Sequence, residues 1–273
     1  MHRLVELGWD REAPPLYHAR RPLFRLLAED NDPAYLYEMA PGGREPETVG
    51  WGRGVLRGAA AAALAHAGYE RDPRLRGAAS RLVERVDEYI TSPLADDPWI
   101  KVSGAHALSP DAFPPSLHFL LMLAFMPEFR NERDDFVDRL MTYLSRPLSR
   151  HTSAQAVGAK VLPSPYLVLG DPLGTRPSAD GDVPFALFWL ELMARLTMLQ
   201  RHEGWKRHLD RFLDDRDRDL VWRPSKSQVV VTINPVVWPF ADLQSKGADG
   251  FPAEATFRLG LIASLTGRPV EFA

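Results

Sequence analysis

Cysteine is absent from all 273 residues. That removes disulfides, thiolate nucleophiles and cysteine-ligated zinc, and it fits a reducing compartment. Neither sign of charge is in surplus: 33 Lys and Arg stand against 36 Asp and Glu, a formal net charge of −3. A chain without basic excess is a poor electrostatic match for nucleic acid. Long apolar runs are missing as well. The longest, Phe185 to Leu199, is too short to span a bilayer and is interrupted by Glu191 and Arg195. The N-terminal stretch MHRLVELGWDRE has no apolar core of the kind a secretory signal carries. The expectation is a cytoplasmic protein with no nucleic-acid partner and no membrane span. Sequence signatures of chemistry are scarce too. GxSxG, HExxH and a GxGxxG leading into a helix do not occur, and HTSAQAVGAK from His151 to Lys160 lacks the glycine pattern of a phosphate loop. No cofactor and no metal ion is indicated.

What is present is helix. The composition, 45% hydrophobic and 25% charged, is that of a globular chain long enough for a substantial core. With no Gly/Ser-rich or charge-rich linker, a single domain over residues 1–273 is expected. The organising stretch is Gly50 to Ile90. Val55, Leu56, Ala59, Ala60, Ala63, Leu64 and Ala67 follow a 3.6-residue period, and the alanines between them allow burial on nearly every side. Gly68 stands where a left-handed C-terminal residue is needed. Asp72 is then a good N-cap and Pro73 a good first helical residue. Leu75, Ala78, Leu82, Val86 and Tyr89 form a stripe on the second helix, with the charged residues largely off it.

Looser versions of this hairpin follow. Residues 15–29 give an amphipathic helix, 32–39 a short helical turn, and 40–50 a loop. Pro98 to Pro114 reads as a polar connection. Pro115 to Met126 is a second inner helix, with an outer partner capped by Asn131 and reaching Arg146. Pro147 to Asp182 is a long irregular stretch. Pro184 opens a third inner helix, with His202 to Leu213 as its partner, and Pro252 to Thr266 is a last helix. The run Gln228 to Ile233 is the one credible strand, short and at an edge. The predicted class is all-α: an α/α toroid or helical-hairpin repeat barrel, complete or incomplete, with one short β segment.

The strongest unit, Gly68-Tyr69 followed by Asp72-Pro73-Arg74, and the closing Pro252 to Arg268 resemble repeats of the prenyltransferase and terpene-cyclase toroid families. The resemblance covers about a third of the chain. It implies inner and outer helices around a central cavity. The families' catalytic residues are not found here. The zinc site of protein prenyltransferases requires a Cys, no DxDD string occurs, and the glutamine–tryptophan repeats of triterpene cyclases are absent.

Most candidate site residues lie in the loops entering the inner helices, with His118 and Glu191 within the first two turns beyond. His106, Asp111 and His118 cluster around the second inner helix, where two histidines and a carboxylate suit acid–base chemistry or a metal. Glu191 and Arg195, four apart on an apolar helix, suit either a structural ion pair or a pair that polarises a ligand. Asp111, His118 and Glu191 are the catalytic candidates. Trp51, Arg53, Trp99, His106, Asp182, Trp189, Arg195 and Trp238 are the ligand-binding candidates, the tryptophans as cavity lining. Asp171, Asp180 and Asp182 resemble paired carboxylates of a glycoside-cleaving site, although solvated turn residues are the plainer reading. Asp134, Asp135 and Asp138 spell the DDxxD of magnesium-diphosphate sites, but acidic residues in a first helical turn are explained by the helix dipole alone. Three functions compete: binding of an apolar small molecule, such as an isoprenoid, in a central cavity, as a divergent terpene-cyclase relative; a non-catalytic helical scaffold for a protein partner; and a carbohydrate-active α/α barrel.

Overall fold

The structure is a computed structural model that describes residues 1–27, 46–219, 221–222 and 250–269. The run Gln228 to Ile233, residues 32–39 and Trp238 lie outside the described residues. Two compact units emerge. The first comprises Met1–Leu144 with Ser149–Leu169, the second Ser145–Leu148 with Gly170–Ala273.

The first unit begins with α1 (His2–Glu6) and α2 (Pro14–Leu27), which buries Leu16, Phe24 and Leu27. Next comes α3 (Pro46–His66), longer at its start than the expected loop over 40–50 allows. A proline at the first position and Glu47 in the first turn explain the earlier start, since both suit a helix N-terminus. Ala60 through Ala65 are all buried, and α3 packs against α2 and against α5 (Leu117–Ala124). The turn to α4 (Pro73–Thr91) follows the residues read from sequence. Gly68 has φ +81°, and the Asp72 carboxylate accepts from the Arg74 N–H with Pro73 in the first turn. Ser116 caps α5 by accepting from Phe119 N–H. Beyond it, α6 (Pro127–Asn131) and α7 (Asp134–Leu144) replace the single outer helix capped by Asn131. Asn131 ends α6 instead of capping the next helix. The acidic string opens α7, where Asp134 and Asp135 occupy the exposed first turn.

The all-α expectation is overturned by a four-stranded mixed sheet in this unit. Strands β1 (Trp99–Val102) and β2 (Ala105–Leu108) form an antiparallel hairpin, as do β3 (Ala154–Val157) and β4 (Lys160–Pro163). The order is β1-β2-β3-β4, and β2 meets β3 in parallel at the Leu108–Gln155 pair. The physical reason lies in the turns. Ser103 and Gly104 both take positive φ, +51° and +83°, which is the two-residue geometry matching strand twist. Gly158, at φ +57°, opens the second two-residue turn. The polar connection over 98–114 and the irregular stretch over 147–182 each contain one of these hairpins. A toroid built from helices alone is therefore not the architecture.

The second unit is helical among its described residues: α8 (Arg176–Gly181), α9 (Val183–Arg195), α10 (Glu203–Asp214) and α11 (Gly250–Leu265). α9 packs on α11, and Trp205, Leu209 and Phe212 anchor α10 with no exposure at all.

Candidate functional site

A cavity of about 340 Å³ opens in the first unit between α3, α4, α5 and β3. Its shape starts with glycine. Gly50, Gly54 and Gly58 recur every four residues on α3, one face of the helix, and all three line the cavity. The stripe runs from exposed Gly50 and Gly54 to buried Gly58. A Cβ at Gly50 or Gly54 would meet nothing within 4 Å. Glycine inside a helix is costly relative to alanine by roughly 0.5–1 kcal/mol. The space is thus held open by residues that local helix stability disfavours.

The walls are mostly apolar, with Val55, Leu82, Val86, Phe113, Phe119 and Leu167 contributing. Arg85 closes one side by stacking its guanidinium 3.9 Å over the Phe113 ring. The polar groups are few and each has a traceable origin. Trp51 donates from Nε1 to Gln155 Oε1 at 3.1 Å, and Gln155 donates from Nε2 to the Ala112 carbonyl at 3.5 Å. One side chain thereby ties α3 to β3 and to the loop before α5. The segment carrying Tyr166 is fixed by Leu117 N–H to Tyr166 O and Val168 N–H to Pro115 O, both 2.8 Å. This brings the Tyr166 ring to 6.1 Å from that of His118. Burial pushes the Tyr166 phenol above its ordinary range, partly offset by hydrogen bonding to Ser164 and Trp51.

His118 is the unsatisfied polar group of the cavity wall. Its Nδ1 is buried without a hydrogen-bond partner, and burial lowers its pKa from 6.5 to about 4. It is a neutral imidazole at pH 7, with one polar atom left unsatisfied. Its lowered pKa has a measurable consequence. The unfolded chain binds the proton below about pH 6.5 while the folded chain resists until about 4, so stability is complete above 6.5 and falls as the pH drops through that window. His2, lowered to about 3 by burial and by His66 beside it, and His208, lowered chiefly by burial, act in the same direction. The carboxylates held below their ordinary range by arginine or lysine partners also lose stabilisation as the pH falls, so the comparison with His118→Leu isolates the histidine's share. In urea unfolding at pH 7 and pH 5, His118→Leu is expected to remove about 1–2 kcal/mol of the wild-type loss. Equal losses in both proteins would show that His118 titrates normally.

The other sequence candidates have different placements. Trp51 and His118 share the cavity. Asp111 is exposed between two wall residues, Pro110 and Ala112, with its N–H donating to Ser109 Oγ. Arg53 lies on α3 off the wall, its Nε buried without a partner. Trp99 and His106 lie on the two strands of the first hairpin and both contact His151, whose ring stacks on His106 at 4.3 Å and sits edge-on to Trp99 at 4.8 Å. In the second unit Asp182 caps α9 by accepting from Phe185 N–H, and Trp189 is fully buried core. Glu191 and Arg195 pair at 2.9 Å, and Arg258 of α11 donates to the other Glu191 oxygen at 3.1 Å. Asp171 is buried, accepting from Trp205 Nε1 and Leu173 N–H, while Asp180 is held by Arg176 and Arg211. The three aspartates thus serve separate structural duties.

The glycine stripe, Gln155 and Tyr166 were not among the sequence candidates. The fourfold glycine spacing was the available signal; Gln155 gave none, because β3 lay within the stretch read as irregular. Among the described residues no group of three or more His, Asp or Glu is arranged to hold a metal ion, and no helix is long and apolar enough to cross a membrane. Comparison with protein-family models, with curated proteins and with solved structures finds no match to this chain.

Proposed function

We propose that this chain binds a small apolar molecule bearing one hydrogen-bonding end in the cavity of its first unit. The observation that carries this reading is the glycine stripe on α3, which opens a mainly apolar space against a buried, unsatisfied His118 Nδ1. Ligand pockets are typically clefts of about 300–1,000 Å³ with apolar walls and few polar groups, and this one falls at the small end. A hydroxyl or carbonyl on the ligand, meeting whichever partner the neutral His118 tautomer requires, would relieve the cost of that buried nitrogen. Gln155 and Tyr166 supply further polar contacts on the same wall.

Gly54→Leu tests this reading. The variant gains helix propensity, about 1 kcal/mol relative to glycine, and its Cβ meets nothing within 4 Å. It is expected to melt no lower than wild type yet to lose binding of a fluorescent apolar probe and of short linear or isoprenoid alcohols by about tenfold or more. Gly77→Ala, on α4 and away from the cavity, is the control that keeps binding. Unchanged binding in Gly54→Leu would place the ligand elsewhere.

A further inference from the structure

The second unit holds a separate concavity of about 780 Å³, and its chemistry is the reverse of the first. Arg146, Arg176, Arg207 and Arg211 all line it, together with His202 and His208. The carboxylates on the same wall are Asp171 and Glu203. Four guanidinium groups less two carboxylates leave +2 with the histidines neutral. Both carboxylates are already engaged: Asp171 with Trp205 and Leu173, Glu203 with Lys206 at 2.8 Å. Asp180, just outside the wall, holds both Arg176 and Arg211 and so orients two of the four guanidinium groups. Its charge and that of Lys206 cancel.

Donor capacity remains in that arrangement. Arg211 has a buried Nη2 with no hydrogen-bond partner. His202 accepts from Trp205 N–H at Nδ1, so the proton of its neutral ring is on Nε2. His208 donates its Nε2–H to the Leu173 carbonyl at 2.8 Å and offers the ligand no donor while neutral. Thr175 and Ser178 add hydroxyls 2.7 Å apart on the same wall. Planar guanidinium groups recognise oxyanions through paired N–H donors. We propose that this concavity is a second ligand site, which binds the phosphate group of a small phosphorylated molecule through Arg176, Arg207 and Arg211. A phosphate monoester carries up to two negative charges on one group and matches the +2 wall, and the volume beyond one phosphate accommodates an organic body.

The test is isothermal titration of the full chain with inorganic phosphate, at fixed ionic strength, beside succinate as a comparator of equal charge. Phosphate is expected to bind saturably with a midpoint at or below about 1 mM, and succinate at least tenfold more weakly. Arg207→Gln removes an exposed guanidinium that takes no part in the Asp180 pairing. It should leave the ligand-free melt unchanged and weaken phosphate about tenfold. Arg176→Gln should weaken phosphate by a similar factor, with a small loss of ligand-free stability because it also removes the exposed pair with Asp180. Absence of saturable phosphate binding, equal affinity for succinate, or unchanged affinity in both variants would each overturn the assignment.

Discussion

Gly170→Ala is expected to unfold the second unit or to lower its stability by on the order of 3 kcal/mol. Gly170 has φ +116°, a conformation that L side chains rarely adopt. A Cβ there would also sit 2.7 Å from both the Arg146 and Pro147 carbonyl oxygens. These are backbone atoms, so no side chain can swing aside to relieve the contact. The close approach exists because Asp171 N–H donates to Arg146 O at 2.7 Å and Asp171 bridges with Pro147. Alanine would push this pairing apart and move Asp171, whose carboxylate holds Trp205 Nε1 at 2.8 Å. Thermal melting followed by tryptophan fluorescence is the direct measurement. A melt within a degree of wild type would mean that this junction relaxes without cost.

Glu191→Gln should be the most damaging of the charge-removing substitutions, at about 2–4 kcal/mol. The Glu191 carboxylate is only 16% exposed and receives Arg195 on one oxygen and Arg258 on the other. Arg258 also meets Glu254 at 3.0 Å. Removing one negative charge leaves two guanidinium groups facing a neutral amide, where repulsion is poorly screened. The residual exposure keeps the figure below that of a fully buried pair. Asp134→Asn, on the exposed first turn of α7, should change stability by no more than about 0.5 kcal/mol. Equal melts for the two variants would place Glu191 in water.

The elements that were legible from residues alone are those whose signals are local. Asp72, Pro73 and Gly68 fix a helix–turn–helix by capping chemistry confined to a few residues. The apolar runs over 115–126 and 185–199 announced buried helices for the same reason. The hairpins were not legible because their strands carry four residues each and include AHAL and AQAV, and alanine is a weak strand former. Their identity comes from turn geometry at Ser103-Gly104 and Gly158, and from pairing across the 46 positions between Leu108 and Gln155, 155 less 108 less one. The Glu191–Arg195 pair was visible at its fourfold spacing, whereas Arg258 was not, since it joins from α11. The cavity was half visible: Trp51 and His118 were candidates, but the walls that complete it come from β3 and the 164–168 segment.

Gln155 stands at two junctions at once. It is the strand residue through which one hairpin meets the other, at the single parallel pair with Leu108, and its side chain holds Trp51 and the Ala112 carbonyl at the cavity wall. Thermodynamic reciprocity links the two. A small molecule that binds better when Gln155 is in place must also disfavour the open form of the β2–β3 seam, and opening of the seam must weaken that binding by the same equilibrium factor. Amide hydrogen exchange at that seam, compared with and without an added small molecule, therefore reads the proposed binding independently of any signal from the molecule itself.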